Sequence, residues 1–295
     1  MFLSLNDLKP AEVQNYLQHA IAPRPICLAS TIDKEGRVNL SPFSFFNLFS
    51  STPPILVFSP ARRVRDNTTK HSLQNVLEIP EVVVNIVDYD MVQQVSLSSC
   101  DFPKGVNEFE KAGLTMAPSS LIRPPRVKES KVSMECKVIE VKALGTEGGA
   151  GNIVICEILC LHIEESILDE NKMIDQLKLH HVARLGGDWY CRVDENNLFK
   201  VAKPNTQLGI GIDALPRTIW QSKILSGNNL GQLANVNELP VVDTTFNDDR
   251  LRTIIQYYAV NPGELDQELH RYAKELLDEG KVNEAWQVLL GDEGP

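Results

Sequence analysis

The chain of 295 residues is long enough to bury a sizeable core, either as one large domain or as one domain with an extension. Its formal net charge of −10 argues against general binding of nucleic acid or anionic membranes, which requires a basic surface. The six cysteines show no CxxC pair and no metal-site spacing, and no apolar run approaches the roughly 20 residues of a membrane span. We therefore expect a cytoplasmic protein with free thiols and no bound metal.

The predicted elements begin with a helix over residues 1–20. Strand-like runs follow over residues 24–32, 37–40 and 55–59. The first two runs are joined by a tight turn, in which Gly36 supplies the positive φ that such a hairpin needs. Between the second and third runs lies the segment 41–47, Ser-Pro-Phe-Ser-Phe-Phe-Asn, which suits neither a plain core strand nor a plain turn.

Segment 41–47 is typical of a site for a flat heteroaromatic ring. Its phenylalanines offer apolar walls beside hydroxyl, amide and unpaired backbone groups. Such a ring needs backbone donors and acceptors along its polar edge and apolar contacts on its faces, and an isoalloxazine fits this description. The alternative is an aromatic-rich edge strand that closes a barrel, because phenylalanine is usually a core residue. The seven residues by themselves leave both interpretations open.

The next segment, residues 60–71, is the most basic part of this acidic chain. It holds cations and polar donors, namely Arg62, Arg63, Arg65, Lys70, Asn67, Thr68 and Thr69. Asp66 is expected to cap a helix that runs to about Leu77. A helix N-terminus with arginine and hydroxyl donors suits a phosphomonoester. The alternative is a solvated charged loop ahead of a helix, and composition does not decide between them.

The rest of the chain alternates strands and helices. A buried strand is predicted over residues 81–87, where Asn85 must be hydrogen-bonded either to a neighbouring strand or to a ligand. A helix over 91–99 is followed by strands over 130–144 and 153–164. The glycine-rich stretch 145–151 between these strands is interpreted as a turn, because it lacks the dinucleotide and Walker patterns and precedes a strand.

A helix is predicted over residues 168–179, followed by a closing hairpin of residues 189–193 and 198–202. His180 and His181 do not indicate a metal site, because adjacent residues of a strand face opposite sides. Two domains are expected, residues 1–204 and a C-terminal extension of residues 205–295. The extension is loop-like to residue 242 and ends in helices, with a hairpin over 262–290 that turns at Gly280.

Many short motifs occur in an order that resembles the flavin reductase-like FMN-binding split-barrel family, which includes flavoredoxins and the flavin reductase components of two-component monooxygenases. The resemblance extends from about Ala22 to Pro204. It is carried by Pro23-Arg24-Pro25, Ala29-Ser30-Thr31, Asp33 with Gly36, Asn39, the segment 41–47, Pro53-Pro54, Phe58-Ser59, Asp66 with Thr68, and Val83-Val84-Asn85.

The resemblance implies a mainly β fold with peripheral helices: a six-stranded antiparallel Greek-key split β-barrel that forms a homodimer with FMN at the subunit interface. It implies that Arg62, Arg65, Asn67 and Thr68 hold the flavin phosphate. The ring edge and ribityl chain would be bound by Ser30, Thr31, Ser44, Phe45, Phe46, Asn47 and Ser59. Arg24 and Arg184 would balance charge on reduced flavin or phosphate. Because Asn67 interrupts the family's usual spacing, the arginine that contacts phosphate is not identified.

The sequence shows no obvious pair of general acid and general base and no activated nucleophile. This absence suits a reaction whose redox step is carried by a cofactor. Three hypotheses follow. The first is an FMN-dependent oxidoreductase that reduces flavin with NAD(P)H. The second is a non-catalytic FMN electron carrier that docks a redox partner, for example a monooxygenase. The third is a barrel that has lost its flavin. The sequence identifies neither the electron donor nor the acceptor.

Overall fold

The structure is a computed structural model that describes residues 1–203 and 208–291. The chain divides into two compact units, Met1–Phe199 and Lys200–Pro295. The boundary that the sequence predicts, between residues 204 and 205, lies outside the described residues. Each unit is organised around apolar clusters of its own residues.

The first unit is built on a seven-stranded antiparallel sheet with the strand order β2-β1-β5-β8-β9-β4-β3. Two further two-stranded sheets pair β6 with β7 and β10 with β11. The strands are β1 (Cys27–Ile32), β2 (Val38–Phe43), β3 (Phe46–Ser51), β4 (Pro54–Phe58), β5 (Glu81–Ile86), β6 (Met116–Ala117), β7 (Arg126–Val127), β8 (Val132–Ala143), β9 (Asn152–Ile163), β10 (Val182–Arg184) and β11 (Tyr190–Arg192).

The expected antiparallel sheet with peripheral helices is therefore present, but it has seven strands where six were predicted. The additional strand is β3, which overlaps the end of the aromatic segment 41–47. It pairs with β4 from Phe46 opposite Phe58 to Ser51 opposite Pro54, with an irregularity between Leu48 and Ser50. Segment 41–47 thus divides between the end of β2, a short bend and the start of β3.

Side-chain alternation along the strands creates two apolar layers. Cys27 and Ala29 of β1 point into a cluster to which all seven strands of the large sheet contribute side chains. Leu28, between them, points into a second cluster with residues of the helices that follow β5. The helices of this unit are α1 (Pro10–Ala20), α2 (His71–Glu78), α3 (Val92–Ser98), α4 (Glu108–Ala112) and α5 (Gln176–Leu179).

Three local predictions in this unit are wrong. Asp66 does not cap a helix, because its carboxylate closes a turn onto Thr68, and α2 begins only at His71. The helix predicted over 168–179 is reduced to α5, since residues 168–174 form a bridged turn. Strand β11 pairs with β10 and not with residues 198–202, which form no strand.

The second unit is helical. Its helices are α6 (Arg217–Trp220), α7 (Gly227–Leu233), α8 (Asp249–Tyr258), α9 (Pro262–Asp278) and α10 (Val282–Leu290). The predicted helical hairpin is α9 and α10, and it turns at Gly280, whose φ of 76° suits a residue without a side chain. The short helices α6 and α7 lie in the stretch expected to be loop-like. Trp286 is fully buried and donates from Nε1 to the carbonyl of Leu233.

No helix in the described part of the chain is long and apolar enough to cross a membrane.

Candidate functional site

The first unit contains a cavity of about 810 Å³ beside α1. This volume lies within the range of small-molecule sites, roughly 300–1,000 Å³. One wall is apolar and is formed mainly by the N-terminal segment, namely Leu5, Leu8, Pro10, Val13, Leu17 and Ile21. Facing residues include Phe45, the basic residues that follow β4, and Gly148 with Gly149. The cavity therefore joins an apolar compartment to a cationic one.

The cationic compartment is made by residues 60–70, which we call the basic loop. A turn gives the loop its shape: the amide of Arg63 donates to the carbonyl of Thr68, and Asn67 adopts a φ of 56°. Asp66 Oδ1 accepts from the backbone N–H of Thr68 at 3.0 Å and from its hydroxyl at 2.6 Å. The hydroxyl bond is the main cause that lowers the pKa of Asp66 to about 2. This carboxylate is thus committed to the shape of the turn.

Arg62 is held by neutral partners. Its Nε donates to the side-chain oxygen of Asn67 at 2.6 Å, and its terminal nitrogen donates to the carbonyl of Asn67 at 2.5 Å. These bonds fix the guanidinium without neutralising its charge. The full positive charge of Arg62 is therefore available to an anion in the cavity.

The other cations of the loop converge on Asp101, which lies after α3. Its carboxylate lies 2.8 Å from Arg63 Nε, 2.9 Å from a terminal nitrogen of Arg65 and 3.6 Å from Lys70 Nζ. The hydrogen bond from Arg63 is the main cause of the lowered pKa of Asp101. Arg63, Arg65 and Lys70 share the two carboxylates of Asp66 and Asp101, and Arg62 contacts neither of them. The four cations and two carboxylates therefore keep a net charge of +2.

The pKa of His71, the first residue of α2, is affected by the same positive charges. Partial burial lowers the pKa of its imidazole, and the charges of Arg63, Lys104 and Lys70 lower it further. At neutral pH this side chain is therefore uncharged. The N-terminal end of α2 adds its own partial positive charge to this region.

The glycine-rich stretch 145–151 is a turn, as the sequence predicts, and it also supports the basic loop. Arg62 donates its amide to the carbonyl of Ala150 at 2.8 Å and accepts from the amide of Gly149 at 3.0 Å. A Cβ on Gly148 would lie 3.1 Å from both Cα and the carbonyl oxygen of Val64. A side chain at 148 would therefore require the backbone of Val64 to shift by a few tenths of an ångström.

Arg24 lines the cavity, but its guanidinium is committed to backbone carbonyls. It donates to Gln18 and Ile21 at the end of α1, at 2.6 Å each, and to Leu185 at 2.9 Å. Burial, and next the charge of Arg184, lower the pKa of Arg24. Arg24 therefore ties α1 to the stretch after β10, a role that the resemblance does not imply.

Arg184 does not line the cavity of the described chain. Its side chain donates to the carbonyl of Gly187 at 2.7 Å and lies 4.6 Å from the ring centre of Tyr190. The neighbouring Gly186 is buried, and a Cβ there would collide with the ring of His19 in α1. The Arg-Leu-Gly-Gly stretch is thus a packing surface for the N-terminal helix.

Ser30 and Thr31 are fully buried in β1, on opposite faces of the strand, and neither lines the cavity. Thr31 accepts from the amide of Asn75 at 3.1 Å, and the Ser30 hydroxyl has no hydrogen-bond partner among the described residues. The cavity lining gives no support to their predicted contact with flavin.

The structural interpretation of Asn85 holds, because its side-chain amide is hydrogen-bonded to Leu28, Val127 and Ser133.

Phe45 is the member of the predicted ring-binding set that lines the cavity. Ser59 lies close by, since its amide donates to the carbonyl of Phe45 at 2.8 Å and its hydroxyl faces Gly151. Asn47 is exposed, and its side chain accepts from the amide of Leu48. Ser44 is half-buried, and Phe46 packs against the core cluster of the large sheet. Of the residues predicted for the ring and the phosphate, the cavity therefore brings together Phe45, Arg62 and Arg65. Asn67 and Thr68 do not line it and instead form bonds within the basic loop.

Strands β8 and β9 bring together a group that the chain spacing did not reveal. Glu135, Cys160 and His162 place one potential metal-ligand atom each within 4.8 Å of one another. The fully buried carboxylate of Glu135 already accepts from the amides of Ser120, Leu121 and Ile122 and bonds His162 Nε2 at 2.6 Å. Burial by itself would raise the pKa of Glu135, but the hydrogen bonds from these donors have the larger effect and lower it. We interpret the group as an anchor for the loop 118–124.

Comparison with known proteins agrees with this architecture. A family model described as a flavin reductase like domain matches residues 19–181, more than half of the chain. An uncharacterized protein of Aquifex aeolicus is 41% identical over 172 residues, which cover 58% of this chain and 85% of that protein. The match to the family model ends before the second unit begins.

Two solved structures are similar in both sequence and fold. Nitrilotriacetate monooxygenase component B from Bacillus cereus has a TM-score of 0.64 at 28% identity, over 68% of this chain and 98% of that chain. The 2-nitrobenzoate 2-nitroreductase of Pseudomonas fluorescens has a TM-score of 0.62 at 25% identity, over 72% of this chain and 100% of that chain.

Proposed function

The chain belongs to the flavin reductase-like family, and we propose that it binds FMN in the cavity beside α1 and passes electrons from NAD(P)H to flavin. The observation that carries the proposal is the pairing of two chemistries in one cavity. An apolar compartment with Phe45 suits the isoalloxazine ring, and a compartment with net charge +2 suits the phosphate.

The residues present fit this cofactor. Arg62, whose partners are neutral, would hold the phosphate, with Arg63, Arg65 and Lys70 around it. Phe45 would contact the ring. When bound, FMN would supply the hydride and electron chemistry. The chain's own task is then to bind, to orient and to exclude water.

Binding is tested by titrating the full chain into FMN and into riboflavin, which lacks the phosphate, and following flavin fluorescence. The proposal expects saturable binding of FMN and weaker binding of riboflavin. Equal affinity for the two flavins would contradict the proposed phosphate site. No binding of either flavin would contradict the proposed function.

A second candidate is a non-catalytic electron carrier like flavoredoxin. The acidic second unit, which lies beyond the family match, favours it as a docking surface for a basic redox partner. The two candidates differ in turnover. A reductase consumes many equivalents of NADH or NADPH when free FMN is in excess, and a carrier consumes none without its partner protein.

We further propose a homodimer with the flavin at the interface, a cytoplasmic location, and a monooxygenase or another redox protein as partner. The dimer is supported by apolar side chains on the edge strand β3, where Leu48 is 61% and Phe49 is 68% exposed. Exposed apolar residues beside an open sheet edge suit a second copy of the chain. The location is supported by free thiols, since all six cysteines are unpaired in the structure.

A further inference from the structure

The cationic compartment already holds one anion, the carboxylate of Asp101. Its Oδ1 lies 2.8 Å from Arg63 Nε and 3.6 Å from Lys70 Nζ, and its Oδ2 lies 2.9 Å from a terminal nitrogen of Arg65. Asp101 lies 36 residues from Arg65 along the chain, on the loop between α3 and α4. Cations of the basic loop thus converge on a carboxylate from another part of the fold, and all of these residues line the same cavity.

Asp101 differs from Asp66, the other carboxylate of the group. Asp66 accepts from the amide and hydroxyl of Thr68 and so fixes the shape of the basic loop. In the described part of the chain, Asp101 bonds to cationic side chains only. Its side chain is 35% exposed, so it can rotate into water without leaving a buried charge. Asp101 is thus an occupant of the compartment and does not fix the shape of the loop.

We propose that the Asp101 carboxylate occupies the position of the flavin phosphate and competes with it for Arg63, Arg65 and Lys70. The inference rests on the proposed FMN site and adds the residue that competes with the phosphate for the cations of that site. A phosphomonoester carries a charge of about −1.5 to −2 at pH 7 and three strong acceptor oxygens. Because a carboxylate carries one charge and two oxygens, the phosphate displaces it and the carboxylate turns to solvent.

The competition makes the compartment selective among anions. A ligand without phosphate leaves Asp101 on its cations, so it gains nothing from them. Weak monoanions must displace a carboxylate of equal charge, so they gain little. A dianionic phosphate gains more from the three cations than the carboxylate loses. Asp101 therefore lowers the affinity for FMN itself but lowers the affinity for weaker anions more.

The test is Asp101→Asn in the full chain, with dissociation constants for FMN and riboflavin from flavin fluorescence. We expect FMN to bind about fivefold more tightly, in line with the removal of one partly exposed ion-pair partner, and riboflavin to change by less than about twofold. Glu147→Gln is the matched control, because it removes a carboxylate charge beside Gly148 that bonds Thr146 and none of these cations. FMN affinity should change by less than about twofold in this control.

Inorganic phosphate gives a second measurement that needs no ring pocket, since calorimetric titration should show tighter binding to Asp101→Asn than to the unchanged chain. Weaker FMN binding by the variant would mean that Asp101 positions the arginines, and it overturns the inference. Equal tightening of both flavins, or no change in either, also overturns it and leaves the FMN site standing. If the unchanged chain binds neither flavin, the proposed function falls and the inference falls with it.

Discussion

At the scale of single residues, some members of the basic loop determine its backbone shape and others supply its positive charge. Asp66 and Asn67 form the turn, and Arg62 is fixed by the neutral Asn67, so one guanidinium keeps an unmatched charge. Hydrogen bonds from a charged donor to phosphate are about twice as strong as neutral ones. The affinity for phosphorylated flavin should therefore depend most directly on Arg62.

Arg62→Ala should weaken FMN binding about tenfold, equivalent to about 1.4 kcal/mol, and should change riboflavin binding by less than about twofold. Both values follow from fluorescence titration at constant ionic strength. Lys34→Ala, in the turn between β1 and β2, is the control for the loss of one positive charge far from the cavity. A parallel loss for FMN and riboflavin would show that Arg62 supports the cavity and does not contact phosphate.

The residue types of the site are readable from the sequence, but their partners are not. The cations of segment 60–71 stand out in an acidic chain, and Phe45 stands out in segment 41–47. That Arg63 and Arg65 meet Asp101, or that Arg24 binds the carbonyls of α1, depends on long-range folding. Ser30 stays a prediction that rests on the family motif, because its position in that motif does not show the face of the strand on which the fully buried side chain lies.

At the scale of elements, the turn between β8 and β9 supports the basic loop by close contact of backbones. Gly148→Ala places a Cβ against Val64, where backbone and not a flexible side chain must shift. FMN affinity should fall about threefold to tenfold, because the arginines move with the loop. Gly231→Ala in α7 is the control: no atom lies within 4 Å of its Cβ, so FMN binding should not change. Unchanged FMN affinity in Gly148→Ala would contradict this support role.

Glu135 anchors the loop 118–124 on β8, and its loss should loosen that loop. Glu135→Gln should speed hydrogen exchange of the Ser120 and Leu121 amides at least tenfold, because an amide replaces a charged acceptor of several N–H groups. Glu140→Gln, on the same strand, should leave these amides unchanged. Equal exchange rates in Glu135→Gln and the unchanged chain would show that the carboxylate does not hold the loop.

The same carboxylate predicts a pH dependence. The folded-state pKa of Glu135 is lowered, so its stabilisation is fully present above the unfolded pKa of about 4.3 and is lost as the pH falls through the folded value. Protection of the loop amides should therefore decrease on acidification below about pH 4 in the unchanged chain. Glu135→Gln should lack that component, and an equally steep decrease in the variant would assign it to other carboxylates.

At the scale of the whole molecule, the antiparallel sheet with peripheral helices was predictable from the family resemblance, because the family's motifs recur in order along most of the first unit. The seventh strand was not, since Phe46–Ser51 pairs with β4 although its composition also suits a ligand-binding loop. The helices α6 and α7 were missed because four and seven residues give too little periodicity to detect. The helical hairpin was found because α9 shows a long apolar face and Gly280 ends it.

The exposed edge strand β3 is the proposed contact between the two copies of the homodimer. If a second copy covers it, Phe49→Glu should convert a dimer to a monomer in light scattering after size-exclusion chromatography, and should weaken FMN binding at the same time. Leu97→Glu on α3, another exposed apolar position, is the control. A dimer that persists in Phe49→Glu would place the interface elsewhere.

The central claim is that this cavity holds FMN for reduction by a nicotinamide donor, and the most direct measurement is the visible absorption spectrum under nitrogen. FMN is added to the full chain, then NADH or NADPH. The account predicts a bound-flavin spectrum that bleaches with one of the donors and is much weaker in Arg62→Ala at the same FMN concentration. A chain that leaves the spectrum of free FMN unchanged at saturating protein would contradict it.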